Sequence, residues 1–228
     1  MNERFLPSTN QIRQLLTQEI TGAGGTVSDT FDDGQRLFMR STFPQALEVQ
    51  PGDFVQGGVA LRAAEEEVFV HPYIFRQVCR NGAIAPRAIG SLEERRLVAP
   101  ATAAEVAEVL ADLADAVRSC CAEEVFRENV DNMASTSYVE ANFILTLTPM
   151  LAQLPAEQAA QLLRQLLDRF GAARKASKFA IMNAVTATAR DTKDPELRWR
   201  LEEFGGGIAA KLRPTPTPSD IGAVACGV

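Results

Sequence analysis

The sequence predicts an α+β fold: an N-terminal antiparallel β-sheet with one or two helices, packed against a C-terminal helical bundle. Three observations carry this reading. Residues 26–71 hold short runs of alternating apolar and polar residues punctuated by Gly, Pro and Asp, the pattern of half-buried strands. Residues 102–212 hold long runs in which apolar residues recur every three or four positions, the pattern of amphipathic helices. Strands come first and helices second, which favours segregated layers over alternating βαβ units. The organisation that follows is a mainly β region with an N-terminal helix over 1–100, a helical bundle over 101–212 and a Pro/Thr-rich tail over 213–228. The first two regions read as one integrated domain.

The first helix is expected to start after Ser8 or Thr9, either of which can accept a hydrogen bond from the first turn. Ile12, Leu15, Leu16 and Ile20 form its apolar stripe, and Gly22-Ala-Gly-Gly25 ends it. Thr26 to Phe43 reads as a hairpin turning at Asp33-Gly34. A short strand at Leu47 and Val49, a turn at Pro51-Gly52-Asp53 and a strand over Phe54 to Arg62 follow. In the next strand, Glu67 to His71, Val68 and Val70 share one face and Phe69 and His71 the other. Pro72 can open a helix, and Ile74, Phe75, Val78 and Cys79 follow at helical spacing. The spacing therefore predicts a short helix over 72–80, stopped at Asn81-Gly82, with short strands or an arm over 83–97.

From Thr102 to about Met133 the apolar period is that of one long helix or two joined ones, broken at Ser135-Thr-Ser137. Further helices are expected over Tyr138 to Leu154, shortened or kinked by Pro149, and from Pro155 through Phe170. Two more span Ser177 to Asp191 and Asp194-Pro195 to about Leu212, the last opened by an Asp cap and a Pro in the first turn. Arg213-Pro-Thr-Pro-Thr-Pro218 cannot continue it.

The 228 residues carry a net charge of -6, which does not favour a broad electrostatic grip on nucleic acid. A local basic cluster survives this objection. Arg164, Arg169, Arg174, Lys175 and Lys178 fall close together, with Arg190, Lys193, Arg198 and Arg200 soon after and Phe179 and Trp199 among them. Arg174, Lys175 and Lys178 are the candidate phosphate contacts; a mixed-charge helical exterior is the simpler account of the same residues. Four Cys and a single His give no zinc spacing, so no metal and no cofactor is expected, and the thiols read as reduced and packed. The start lacks a basic segment followed by an apolar run, and no run is long enough to span a membrane, so a cytoplasmic protein without membrane association is expected.

Gly52-Asp-Phe-Val-Gln-Gly-Gly-Val-Ala-Leu-Arg62, followed by Phe75-Arg-Gln-Val-Cys-Arg-Asn-Gly82, resembles the phage/plasmid-like family called domain of unknown function 932. Lys178-Phe-Ala-Ile-Met-Asn-Ala-Val-Thr186, followed by Asp194-Pro-Glu-Leu-Arg-Trp-Arg-Leu-Glu-Glu-Phe-Gly-Gly206, resembles the C-terminal end of the same family. The resemblance implies a protein of phages, plasmids or genomic islands and brings no reaction or cofactor with it. The chain departs from the pattern at Ala63-Ala-Glu-Glu-Glu67, where members carry an Asn-Ser pair and a Gly.

Two constellations are candidate ligand or anion sites. Arg76, Cys79, Arg80 and Asn81 would bring guanidinium forks to one helix face, although a capped helix with Cys79 in the core explains the same residues. Asn183, Thr186 and Arg190 share a helix face, and Arg198 and Glu202 lie one turn apart on the next helix. They either hydrogen-bond one another between helices or line a groove with Arg76. Cys79 as a nucleophile would need His71 as its base. Asp29, Asp32 and Asp33 read as an acidic hairpin tip before they read as cation ligands. No catalytic residue is assigned. The expectation is a non-enzymatic binding protein acting in DNA maintenance, recombination or host-defence conflict, partnered by nucleic acid or another mobile-element protein and potentially a homo-oligomer. The alternatives are an enzyme of unassigned type with a pocket where sheet meets bundle, and a structural assembly protein whose tail docks on a neighbouring subunit.

Overall fold

A computed structural model describes residues 7–64, 67–85, 102–171 and 177–210. Its architecture is an N-terminal antiparallel sheet followed by helices. Helix α1 (Thr9–Gly22) precedes strands β1 (Thr26–Asp32), β2 (Leu37–Thr42), β3 (Ala46–Gln50), β4 (Asp53–Ala64), β5 (Glu67–Arg76) and β6 (Asn81–Ile84). Helices α2 (Ala103–Cys120), α3 (Glu123–Ser135), α4 (Phe143–Leu151), α5 (Ala156–Phe170), α6 (Lys178–Asp191) and α7 (Pro195–Ala209) follow, with a 3-10 turn at Thr136–Tyr138 between α3 and α4. Among the described residues no helix is long and apolar enough to cross a membrane.

The sheet runs β1-β2-β4-β5-β6, and β3 pairs with the first part of β4. Strand β4 is its spine because it is long enough to serve β3 with one half and β2 with the other, while β5 runs along its opposite side from Val55↔Arg76 to Ala64↔Glu67. Alternation sends Met39, Val59 and Leu61 to one face, where Ile12, Leu16 and Ile20 of α1 and Leu113 and Val117 of α2 cover them. Phe38, Ala60, Tyr73 and Ile84 face the other way and pack around Trp199 of α7. Val55, Ile74 and Ala83 join a third cluster with Phe126 of α3, Leu147 of α4, Leu166 of α5 and Val185 of α6. Both sheet faces are thus buried, which leaves β2 and the second half of β4 buried almost throughout, Arg40 and Arg62 included.

Caps set most helix starts. Ser8 and Gln11 form a reciprocal capping box on α1, as do Thr102 and Glu105 on α2. Asn142, Ser177 and Asp194 each accept a backbone N–H at the starts of α4, α6 and α7. The fourth helix consequently begins at Phe143, five residues later than the apolar pattern suggested, and Tyr138 to Asn142 lies outside it. The long pattern from Thr102 resolves into α2 and α3, which meet at Cys121 and Ala122. Cys120 is buried, and burial pushes the neighbouring Cys121 thiol up to about 11, which keeps Cys121 protonated.

One expected element is overturned. Residues 72–80 are not a helix: β5 continues through Pro72 to Arg76, a turn follows, and Asn81 starts β6. Val68, Val70, Pro72 and Ile74 alternate with Phe69, His71, Tyr73 and Phe75, a two-residue period in β-branched and aromatic residues that outweighs the short three-and-four spacing. Arg80 supplies the turn's left-handed residue, at φ 51°. Arg76 and Arg80 therefore do not share a helix face. The expected arm over 83–97 is β6 as far as Ile84, and residues 86–97 lie outside the described residues, as do Cys226 and the tail.

The α6–α7 hairpin closes the β6 edge of the sheet. Gly206 brings α7 against that strand so closely that a Cβ there would stand 1.9 Å from the Ile84 carbonyl oxygen. A Cβ on the adjacent Gly207 would meet nothing within 4 Å. Gly206→Ala is expected to destabilise the fold by about 1–3 kcal/mol through overpacking. Gly207→Ala is expected to stabilise it by about 0.5–1 kcal/mol through helix propensity. Urea denaturation of the two variants checks the opposite signs.

Candidate functional site

The two sequence signatures meet where β6 lies against α6 and α7. Asn81 is 3% exposed, and its side-chain amide donates to Thr186 Oγ1 at 2.6 Å. The Thr186 hydroxyl in turn donates to the Met182 carbonyl at 3.0 Å, which anchors the contact to the α6 backbone. Arg190, one turn further along α6, donates from Nη1 to the Cys79 carbonyl at 2.6 Å and holds the β5–β6 turn. Asn183 is half-buried on the same helix, and its carbonyl receives a longer contact from Thr186 at 3.4 Å.

Arg76 is engaged within the protein. Its Nε lies 2.7 Å from both oxygens of Asp53, its Nη1 donates to Cys79 Sγ at 3.3 Å, and its guanidinium stands 5.4 Å from the Phe179 ring centroid. Asp53 was not among the sequence candidates. It opens β4 opposite the end of β5, a proximity that only the β5 strand assignment discloses. His71 stacks on Phe69 with ring centroids 6.3 Å apart and lies 6.0 Å from Trp199, on the sheet face opposite Arg76. Cys79 sits in the turn with the guanidinium of Arg76, so the two members of the considered dyad belong to different surroundings.

The second constellation is a buried ionic network. Glu202 is 1% exposed and stands between two arginines. Arg198 donates from Nε to Glu202 Oε1 at 3.1 Å, as the one-turn spacing foretold. Arg40 of β2 reaches the other oxygen, donating from Nε to Oε2 at 2.7 Å. Its Nη2 lies equally near that oxygen but off the hydrogen-bonding line, which makes it an ion-pair contact only. Asp29 of β1 completes the network, 2.7 Å from Arg198 and 3.3 Å from Arg40. Two cations and two anions thereby balance. Sequence reasoning missed Arg40, although it is the one charged residue in an otherwise buried strand and so signals a buried partner.

Burial pushes the Glu202 carboxyl up while the Arg40 and Arg198 charges pull it back. Burial also holds the Tyr73 hydroxyl well above its ordinary range, with the Glu202 charge adding to the effect. The other hairpin-tip carboxylates are likewise engaged: Asp32 with Arg13 at 3.4 Å and Asp33 with Arg36 at 2.8 Å.

Of the nucleic-acid candidates, Lys178 is the first residue of α6 and half-buried, while Arg174 and Lys175 lie outside the described residues. Phe179 and Trp199, placed by the sequence near this basic cluster, are 7% and 3% exposed. Both are core residues, so neither can stack on a base, a correction that follows from their apolar packing in the third cluster and around β6. Among the described residues the most exposed aromatic is Tyr138, at 91%. The Lys178 backbone N–H donates to the Val139 carbonyl at 2.9 Å, and Glu140 bridges Ser177. Tyr138 therefore enters the surface beside the start of α6.

A separate cleft at the α2–α3 junction is lined by Phe43, Gly57, Ile74, Cys121, Glu123 and Phe126, among others. None of the sequence-predicted site residues lines it. Its one charged residue, Glu123, pairs with Arg127 at 2.5 Å, which lowers its carboxyl pKa.

The chain matches no family model, no curated protein and no solved structure in the comparisons made with each.

Removing Glu202 leaves Arg40 inside the protein with only the longer contact to Asp29, at 3.3 Å. Glu202→Ala is expected to cost about 3–5 kcal/mol, the usual consequence of breaking a buried ion pair from one side, as read by chemical denaturation. Asp191 provides a pH readout. Its hydrogen bond from Arg190, with Arg169 on its other side, lowers its carboxyl from 3.8 to about 2. Because the folded value is depressed, the stabilisation is present above the unfolded value of 3.8 and is lost as pH falls toward 2. Asp191 is exposed, so the contribution is at most about 1 kcal/mol. Asp191→Asn is expected to be slightly less stable than the parent at pH 7 and equal to it near pH 2, checked by denaturation at both pH values.

Proposed function

We propose that the chain is a non-enzymatic nucleic-acid-binding protein of the phage/plasmid type, acting in DNA maintenance, recombination or host-defence conflict. The mobile-element setting rests on the resemblance of residues 52–82 and 178–206 to the family named above. The binding role rests on one observation: an almost fully exposed Tyr138 beside Lys178 at the start of α6. A base can stack on an exposed aromatic ring while a neighbouring cation meets its phosphate. Arg174 and Lys175, shortly before Lys178 in the chain, add charge to the same stretch of sequence. Glu140 opposes them with one carboxylate.

The pairing of the polar groups at the seam favours a structural role for them over catalysis. Arg76, Arg190, Arg198 and Glu202 each hold another part of the protein: Asp53, the Cys79 carbonyl, Asp29 and Arg40. A catalytic constellation would aim such groups at a shared space for a reacting atom.

Binding to oligonucleotides is expected to weaken as salt rises. Lys178→Glu is expected to weaken it further and to reduce the salt slope by about one, and Glu140→Gln is expected to strengthen it. Fluorescence anisotropy across a salt series checks both, and an affinity indifferent to salt would reject the reading.

A further inference from the structure

The cleft at the α2–α3 junction combines two aromatic walls with a negative field. Its volume is about 240 Å³. Drug-sized ligands begin at roughly 300 Å³, so the occupant of this cleft is smaller. Phe43 and Phe126 supply the rings. The Phe126 ring lies over Gly57, where a Cβ would stand 2.9 Å from it. Tyr73 borders the cleft but contributes no ring, because its hydroxyl lies against Gly82 and its side chain packs with Phe38 and Trp199. Pro44 and Pro72, also at the border, bring no N–H donor that would hold an anion.

The charges at the cleft have a consistent sign. Glu123 is the one charged side chain in its wall. Helices α1 and α2 both end there, at Ala23 and at Cys120 and Cys121. A helix C-terminus carries about half a negative charge. The last turn of α1 holds no basic residue. Arg118, in the last turn of α2, turns to Glu19 and Asp115 and is not part of the wall. Cys121 registers the result: its thiol is pushed up by burial first and by the Glu19 charge second. The start of α3 also reaches the cleft, and Glu123 and Glu124 in its first turn offset the positive end of that helix.

Glu123 has capacity left for a ligand. Its contacts with Nε and Nη2 of Arg127 and with Nε2 of Gln45 all fall on Oε1, and among the described residues none falls on Oε2. The Arg127 and Glu123 side chains are 57% and 53% exposed, and an ion pair so open to solvent is weak. A neutral molecule would gain nothing from the field, and an anion would be repelled. A quaternary ammonium uses both features: aromatic rings attract its methylated nitrogen, and the carboxylate and helix ends balance its charge.

We propose that this cleft binds a small quaternary ammonium cation between Phe43 and Phe126, with Glu123 as its counter-ion. The site is separate from Tyr138 and Lys178, so its failure would leave the nucleic-acid reading standing.

The test titrates the full chain with choline and with its uncharged isostere, in which a tert-butyl group replaces the trimethylammonium. Saturation transfer to the methyl signal of each probe, read by nuclear magnetic resonance, gives the affinity. Choline is expected to bind about tenfold more tightly than the isostere. Glu123→Gln, at an exposed position, is expected to weaken choline about tenfold and to leave the isostere unchanged. Phe43→Leu is expected to weaken choline about fivefold. Glu124→Gln, equally exposed but outside the wall, is expected to stay within about twofold of the parent. Trp199 fluorescence confirms that each variant is folded. A parent that does not bind choline, or that takes the two probes equally, overturns the proposal. So does a folded Glu123→Gln or Phe43→Leu variant with the parent's affinity. A Glu124→Gln variant as weak as Glu123→Gln assigns the effect to general surface charge and equally overturns it.

Discussion

The structure depends on one buried carboxylate held between guanidiniums that come from different halves of the chain. Glu202 of α7 takes Arg198 from its own helix and Arg40 from the centre of the sheet. Several kcal/mol are at stake in taking each such charge out of water, and only close partners offset that loss. With Asp29 the network is neutral, so the cost of burial is met within a few side chains. An arrangement this restrictive fixes where α7 lies along β1 and β2. The same helix then presents Gly205 and Gly206, and their missing side chains let it settle against Thr186 and Ile84. The hairpin of α6 and α7 thereby covers the edge that β6 would otherwise offer to another strand.

That closure has a functional consequence. The polar residues that stand out in the sequence are spent on holding the two halves together: Asn81 on Thr186, Arg190 on the Cys79 carbonyl, Arg76 on Asp53. What remains for partners is surface that the core does not use. The start of α6 combines an exposed ring with a cation.

Much of the fold was legible because local chemistry and burial agree. Ser8, Thr102, Ser177 and Asp194 mark helix starts by their own side chains, and Gly34 and Gly52, at φ 85° and 79°, mark turns that side chains disfavour. The reading failed at residues 72–80, where Pro72 and a few apolar residues fit a helix start and a strand equally well. Pairing with β4 along its whole length decided for the strand, and pairing is a long-range fact that no local window contains. The site divided in the same way. Arg198 and Glu202 are one turn apart, so their contact follows from helix geometry. Arg40 joins them across 162 positions, Asp53 reaches Arg76 only once β4 and β5 are aligned, and Tyr138 is exposed because α4 starts after it.

The central claim is that sheet and bundle form one cooperative unit through the Arg40–Glu202–Arg198 network. Trp199 is the single tryptophan, 3% exposed and 6.2 Å from Phe38 of β2, so its fluorescence reports the junction itself. Far-ultraviolet circular dichroism reports the helices and strands of the whole chain. Following urea unfolding by both signals compares the two directly. The account predicts a single transition with coincident midpoints. Loss of the Trp199 signal in a separate earlier step, with the helical signal intact, would contradict it.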